Sequence, residues 1–318
     1  METRPTLRQI QEAHARIRPF VHDTPVLTCR TIDEMLGAEL FFKCENLQKV
    51  GAFKIRGACN AVYSLDDTEA ARGVATHSSG NHGAALALAA RWRGIKARVV
   101  MPENSSAVKQ RAVAGYGAEV ILCKPTQKSR EETLEKVLRS TGATLVHPYN
   151  DHRVISGQGT AAMELCGSVS GLDIVMTPVG GGGLLSGTAI AVTGLSPKTR
   201  VMAGEPERAD DAFRSLQAGS IIPVKNPDTI ADGLRTSLGD LTFPIIRDLV
   251  SEILLVSEEG ILQAMRLIWE RMKIIVEPSA AVPLGALLAR PHDFSGKRIG
   301  IIISGGNVDL DALTWSGP

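Results

Sequence analysis

The stretch Gly73-Val74-Ala75-Thr76-His77-Ser78-Ser79-Gly80-Asn81-His82-Gly83, which leads into an alanine-rich run ending at Trp92, decides the fold. Gly73 to His77 has the length and apolar character of a short strand. Ser78 to Gly83 is a turn of small polar residues, and His82 to Trp92 reads as a helix. The same order then recurs. Ala97 to Met101, Glu119 to Cys123 and Thr144 to His147 are further strand candidates, and Ser105 to Tyr116 and Arg130 to Ser140 are helices between them. The pattern Ser129-x-x-Glu132 is a capping box for the last helix. Four strands alternating with three helices predict a compact parallel α/β unit of roughly 75–80 residues.

The rhythm resumes in the second half, with strand candidates at Ile174 to Thr177, Arg200 to Ala203, Ile253 to Val256 and Ile299 to Ile303. Glu258 to Met272 reads as a helix, with Ile261, Met265, Ile268 and Met272 on one face. Near the start, Thr6 to Phe20 is an amphipathic helix and Leu40 to Lys43 a short strand. The expectation is two open, parallel-rich α/β domains. Residues 1–72 and 151–318 form the larger one and residues 73–150 a smaller inserted one, because Lys43 to Lys54 precedes the first unit and needs a sheet to rest on. Ligands of open α/β sheets sit beyond the carboxyl ends of the strands. The glycine clusters lie at those ends, so the site is expected in the cleft between the domains.

With 318 residues, the chain is long enough for one large or two modest domains. Lys and Arg number 35 against 34 Asp and Glu, so no basic excess argues for nucleic acid or an anionic membrane surface. The five cysteines, Cys29, Cys44, Cys59, Cys123 and Cys166, are odd in number and contain no CxxC pair. That suits scattered reduced thiols in a cytoplasmic protein rather than a disulfide framework or a zinc site. Met1 to Gln9 lacks an apolar core, so no signal peptide is expected, and no apolar run approaches the ~18 residues of a membrane span.

Four constellations carry chemistry. In Gly51-Ala52-Phe53-Lys54-Ile55-Arg56-Gly57, a lysine beside an aromatic ring at a helix start can be desolvated. Desolvation and the neighbouring cation Arg56 lower an amine's pKa, and a neutral amine can form an imine, although a single lysine is more often a solvated surface charge. In Ser78-Ser79-Gly80-Asn81-His82-Gly83, small residues and side-chain hydrogen-bonding groups meet a helix N-terminus, which favours anions. A plain capped turn is the other reading. Gly180-Gly181-Gly182-Gly183 exposes consecutive amides before the apolar run Leu184 to Val192 and suits a phosphate. The dinucleotide pattern GxGxxG fails there, since it needs glycine at Leu185 or Ser186. Finally, Ser304-Gly305-Gly306-Asn307 follows the last strand, where a serine can reach into a site.

Together and in this order, these segments resemble the fold-type II pyridoxal-phosphate (PLP) enzymes, with the tryptophan synthase β-like arrangement, and within them the serine/threonine dehydratase and serine racemase branch. The likeness runs from Thr24-Pro25-Val26 to Asp309. Gly157-Gln158-Gly159-Thr160, Thr229-Ile230-Ala231-Asp232-Gly233 and Trp269-Glu270-Arg271-Met272-Lys273, with residues 78–83, are most similar to serine racemase. The resemblance implies that Lys54 holds PLP as an imine, with Phe53 beside the ring, Asn81 at the phenolic oxygen, Gly180, Gly181, Gly182 and Gly183 around the phosphate, Ser304 at the pyridine nitrogen and Glu277 close by. It implies that Ser78, Ser79, Gly80, Asn81 and His82 bind the substrate carboxylate. The implied reaction is dehydration of L-serine or L-threonine to a 2-oxo acid and ammonia, with Lys54 taking the α-proton.

The likeness also bears on finer points. Ser79 matches the residue that supplies a proton on the opposite face in racemase-like members, and so permits serine racemase activity. Arg130 either pairs with a second substrate carboxylate, which would suit threo-3-hydroxyaspartate, or is a solvated residue of the first helical turn. Glu205, the carbonyl of Ala209 and Asp211 match a divalent-cation site for Mg, Ca or Mn, although Glu205-Pro206-Glu207 with Asp210-Asp211 also reads as an acidic surface loop. A homodimer is implied by the resemblance alone. Ala52 departs from the serine usual before the aromatic–lysine pair, and Tyr149 to Arg153 depart from the racemase pattern. The segment after Asp309 is short, so no C-terminal regulatory domain is expected. A non-catalytic PLP-binding protein and a nucleotide-dependent oxidoreductase are the competing readings. Retention of Lys54, Ser79 and Asn81 argues against the first, and the broken glycine pattern against the second.

Overall fold

The computed structural model describes residues 4–105 and 107–310. The start of the Met1 to Gln9 segment, Ser106 within the expected helix Ser105 to Tyr116, and the part of the expected large domain after residue 310 lie outside the described residues. Ten strands are present among those described: β1 (Val26–Leu27), β2 (Glu39–Cys44), β3 (Val74–His77), β4 (Ala97–Pro102), β5 (Glu119–Cys123), β6 (Thr144–Leu145), β7 (Ile174–Pro178), β8 (Arg200–Pro206), β9 (Glu252–Val256) and β10 (Arg298–Ile303). They form a six-stranded sheet in the order β1-β2-β10-β7-β8-β9 and a four-stranded sheet in the order β5-β4-β3-β6. Every pairing is parallel except β1 with β2.

The central strands β7 and β10 are almost continuously buried, as strands covered by helices on both faces must be. Alternate residues feed two cores. On one face Phe42, Met176 and Ile301 meet Leu284 and Leu287 of helix Pro278–Leu288, and on the other Val175 and Ile302 meet Leu185 and Ala189 of helix Gly183–Leu195. One face of the smaller sheet packs Val74, Val99 and Met101 against Leu86 and Ala89 of helix Asn81–Arg93 and Ile55 and Val62 of helix Lys54–Tyr63. Leu134 and Val137 of helix Gln127–Thr141 cover the other face.

Both strand orders reverse direction, which determines where a ligand can enter. The smaller sheet grows from β3 outward through β4 to β5 and then returns to place β6 on the other side of β3. The larger grows from β7 through β8 to β9, and β10 returns to the other side of β7. Connections leave a crevice at such reversals, beyond the carboxyl ends of the two strands. The ends of β3 and β6 carry residues 78–81 and 146–150, and those of β7 and β10 carry residues 179–183 and 304–307.

Several local expectations shift. The helix expected at Arg130 begins at Gln127, because Thr126, in extended conformation, caps it by accepting the Ser129 amide. Ser129 lies inside the helix as its third residue, and Arg130, the fourth, closes the first turn by donating its amide to the Thr126 carbonyl at 3.1 Å. Strand β8 runs three residues beyond Ala203 to Pro206, which takes Glu205 into the sheet, 1% exposed, rather than onto an acidic surface loop. Helix Glu258–Leu267 passes into a π-helical turn over Ile268–Met272. All five cysteines are free.

Helix Lys54–Tyr63 is fastened by a buried ionic network. The Arg56 guanidinium, wholly buried, donates to both oxygens of Glu45 at 2.7 and 2.8 Å and to both oxygens of Glu164 at 2.7 Å each. The equally buried Lys43 ammonium reaches Glu164 at 2.6 Å and the carbonyl of Thr24 at 2.7 Å. Burial opposes ionisation of Glu164, but hydrogen bonds from His14 and Arg56 and the charges of Arg56 and Lys43 outweigh it and hold its carboxyl far below the usual range. Two buried cations therefore face two anions from three chain segments, residues 43–45, Arg56 and Glu164. Removing one partner strands the others' charge. Glu164→Ala is expected to cost about 3–5 kcal/mol in equilibrium urea unfolding, and a loss below about 1 kcal/mol would show that the network bears no such strain.

Candidate active site

The chain reaches Lys54 through a backbone kink in which Val50 and Gly51 both take positive φ, 56° and 69°. The next residues are pinned to the end of β10. Ala52 bridges Gly305, the Phe53 amide donates to the Ser304 carbonyl at 3.0 Å, and the Gly306 amide donates to the Gly51 carbonyl at 2.9 Å. Ala52 is fully buried in this contact.

Lys54 is half-buried, and its Nζ donates to the carbonyl of Pro148 at 2.9 Å and lies 5.0 Å from the centroid of the Phe53 ring. Burial lowers its pKa to about 8, partly offset by the charge of Glu277. Arg56, expected to help, plays no part in this, since its guanidinium is spent on Glu45 and Glu164. A neutral primary amine beside a ring can act as nucleophile or as base.

Ser78 to Gly80 turn the chain from β3 into helix Asn81–Arg93, whose N-cap, Gly80, offers no side chain to the first amides. The Ser79 hydroxyl has no hydrogen-bond partner among the described residues. Asn81 donates through Nδ2 to both oxygens of Glu277 at 3.1 Å, and its Oδ1 accepts from Asn307 Nδ2 at 3.0 Å. Burial raises the Glu277 carboxyl to about 7, against the Asn81 bond. His82 is turned away from the helix start, with Nε2 3.0 Å from the Val146 carbonyl and a buried, unpartnered Nδ1. Burial, with the charge of Lys54, lowers it to about 3, so it stands neutral.

Gly180 to Gly183 are all buried at the start of helix Gly183–Leu195. Their amides have no acceptor among the described residues, as expected for the first turn of a helix that awaits an anion. Side chains would fill the cradle. A Cβ on Gly180 would come 2.9 Å from the Cα of Leu234, and one on Gly181 would overlap the Tyr149 ring. Gly182 needs its freedom outright, at φ 87°. Open amides lined by glycine fit a phosphate. Ser304, 2% exposed, stands across the cleft floor beside the Lys54 turn.

The third wall is aromatic, built from histidine and tyrosine rings. His77 and His147, at the ends of β3 and β6, meet edge to face at 5.9 Å between centroids, and His147 meets Tyr149 at 4.6 Å. His147 Nδ1 accepts the Asn150 amide at 2.9 Å, and burial lowers its pKa to about 4. Arg130 faces this wall. Its charge adds to the burial that lowers the pKa of His77, and its Nε is buried without a partner. Sequence reasoning singles out neither histidine nor the Pro148 carbonyl. The histidines' place at strand ends is the available signal, whereas a carbonyl gives none.

Glu205, Ala209 and Asp211 lie apart from Lys54, around the end of β8. Glu205 accepts the amides of Ala212 and Phe213 at 2.8 Å each, while neither oxygen of Asp211 has a partner in normal geometry. Burial raises Glu205 to about 9 and Asp211 to about 7. Orphaned, buried carboxylate oxygens fit a hard divalent cation, which takes oxygen ligands, although no group of three or more His, Cys, Asp or Glu suited to a metal occurs among the described residues.

The environment of Lys54 gives a direct test. In apoprotein, covalent labelling of the Lys54 amine followed against pH by peptide mass spectrometry should show a midpoint near 8. A midpoint near the ordinary lysine value of about 10.4 would mean that the amine is solvated.

Comparison with known proteins places this geometry. The family model "Pyridoxal-phosphate dependent enzyme" matches residues 17–305. A β-hydroxyaspartate dehydratase of Paracoccus denitrificans (strain Pd 1222) is 53% identical over 312 residues, covering 98% of this chain and 99% of the relative. The crystal structure of serine racemase from Dictyostelium discoideum superposes with a TM-score of 0.93 at 53% identity, covering 97% of this chain and all of that one (100%). That of the T.th. threonine deaminase does so at 0.92 and 46%, covering 96% and 99%. The chain belongs to the pyridoxal-phosphate-dependent enzymes, of fold type II.

Proposed function

We propose that the chain is a PLP-dependent ammonia-lyase that dehydrates L-serine or L-threonine to a 2-oxo acid and ammonia, with serine racemisation as a second outcome at the same site. The observation that carries this reading is the Lys54 amine, brought to about 8 by burial between Phe53 and Pro148. Serine racemases and a threonine deaminase among the relatives support it. Among the described residues, the small domain is built on residues 73–150, with helix Lys54–Tyr63 packed against it, and the large domain on the rest.

The cofactor, when bound, supplies an electron sink for charge at the substrate α-carbon. Lys54 would hold it and, once the substrate's amine has taken its place and freed the lysine, would accept the α-proton from one face, since near pH 8 a large share of the amine is neutral. Gly180 to Gly183 would hold the phosphate through their amides, Asn81 would bond the phenolic oxygen and Ser304 the pyridine nitrogen, with Phe53 and Glu277 alongside. Residues 78–82 bind the substrate carboxylate at the start of helix Asn81–Arg93, with His82 contributing its backbone while its ring holds Val146. The Ser79 hydroxyl delivers a proton on the opposite face. Glu205, the Ala209 carbonyl and Asp211 hold Mg, Ca or Mn. The protein works as a cytoplasmic homodimer.

A second substrate reading has its own support. The buried, unpartnered Nε of Arg130, whose charge also lowers the pKa of His77, suits a distal carboxylate and therefore threo-3-hydroxyaspartate. Release of 2-oxo acid and ammonia from L-serine, L-threonine and threo-3-hydroxyaspartate separates the two. Arg130→Ala should lower kcat/KM about tenfold to a hundredfold on the dicarboxylate alone if that pairing holds, and equal loss on all three removes it. Ser79→Ala should suppress D-serine formation more than dehydration, and equal loss of both would remove the two-face reading. Mg, Ca or Mn should raise the melting temperature of wild type but not of Asp211→Asn; no response in wild type would remove the cation site.

A further inference from the structure

The segment His147–Asn150 ties together parts of the cleft that lie far apart in sequence. The Pro148 carbonyl takes the Lys54 amine at 2.9 Å. Asn150 accepts the Leu241 amide at 2.9 Å and donates to Asp240 at 2.5 Å. Between these anchors the Tyr149 side chain lies against the glycine loop. A Cβ on Gly181 would overlap Cγ, Cδ1 and Cε1 of its ring, and one on Gly183 would come 2.9 Å from its Cβ. The ring also meets His147 at an interplanar angle of 89°.

Gly181 is outside the positive-φ region that Gly182 occupies. Its need for glycine is therefore spatial, and the neighbour that sets it is Tyr149. On its other side, the Gly181 carbonyl accepts the Thr242 hydroxyl at 2.9 Å. Four consecutive glycines have the greatest backbone entropy to lose on ordering. A ligand that must order them itself binds more weakly than one that meets a loop already shaped.

We propose that Tyr149 is the positioning residue of the phosphate cradle, its ring confining Gly181 and Gly183 so that the loop amides stay aimed at one point. The inference rests on the reading above, in which that loop receives the cofactor phosphate. The aromatic ring does this, not the hydroxyl.

The test is titration of apoprotein with PLP and with pyridoxal, which lacks the phosphate. Tyr149→Ala should weaken PLP about tenfold or more and pyridoxal less than about threefold, and Tyr149→Phe should keep both within about threefold of wild type. Gly181→Ala should weaken PLP because its methyl meets the ring, and Tyr149→Ala in the same chain should restore part of the loss, as coupled neighbours do. Tyr149→Leu replaces Tyr149→Ala if the latter does not fold. The proposal is overturned if Tyr149→Ala (or Tyr149→Leu in its place) binds PLP as wild type does, if it weakens both ligands alike, or if it fails to relieve Gly181→Ala. Wild type binding pyridoxal as tightly as PLP would instead overturn the phosphate assignment beneath it.

Discussion

The guanidinium of Arg56, enclosed by the carboxylates of Glu45 and Glu164, fixes the first turn of the helix that presents Lys54. A buried ion network is weak evidence of net stability, because desolvation opposes its Coulombic gain. What it supplies here is register. Glu45 follows β2, Glu164 lies on helix His152–Ser168, and Lys43 closes the set from within β2. Together they determine where Lys54 stands relative to the end of β10. The cations and anions in this set balance, so the lysine two residues away meets a neutral foundation. Its lowered pKa comes from burial and not from a neighbouring cation.

On that foundation, two topological reversals face one another across the cleft. The smaller sheet contributes the turn at Ser78–Asn81 and the wall of the neutral His77 and His147 rings with Arg130. The larger contributes the glycine loop and Ser304. Asn81, bonded to Glu277 and Asn307, joins the two sides directly. The cleft thus has an amine with a substantial neutral fraction near pH 8, an anion-ready loop and a helix start without a capping side chain. This set suits chemistry at a carbon that carries both an amine and a carboxylate.

Features written in local sequence are legible. The strands of both sheets show as short apolar runs, except the two-residue edge strand β1, and the glycine loop shows as four consecutive residues between a strand and an apolar helix. Local signals fail where a competing local partner or a distant one decides the outcome. Ser129 has the spacing of a cap, but Thr126 takes that role. Glu205 reads as part of an acidic loop, yet the pairing of β8 with β9 carries it inside. Arg56 reads as a neighbour of the Lys54 amine, although its charge is answered by Glu164, far along the chain on another helix. Tyr149 is notable in sequence only as a departure from pattern, since its contact with Gly181 is made by tertiary packing. The Pro148 carbonyl has no side-chain signature at all.

The central claim is that Lys54 is the residue that carries the cofactor. The most direct measurement is the absorption spectrum of the purified protein with PLP before and after borohydride, followed by peptide mapping. The account predicts a band near about 410–420 nm that reduction abolishes, with the label fixed at Lys54. A protein that stays colourless with added PLP, or a label fixed on another lysine, would contradict it.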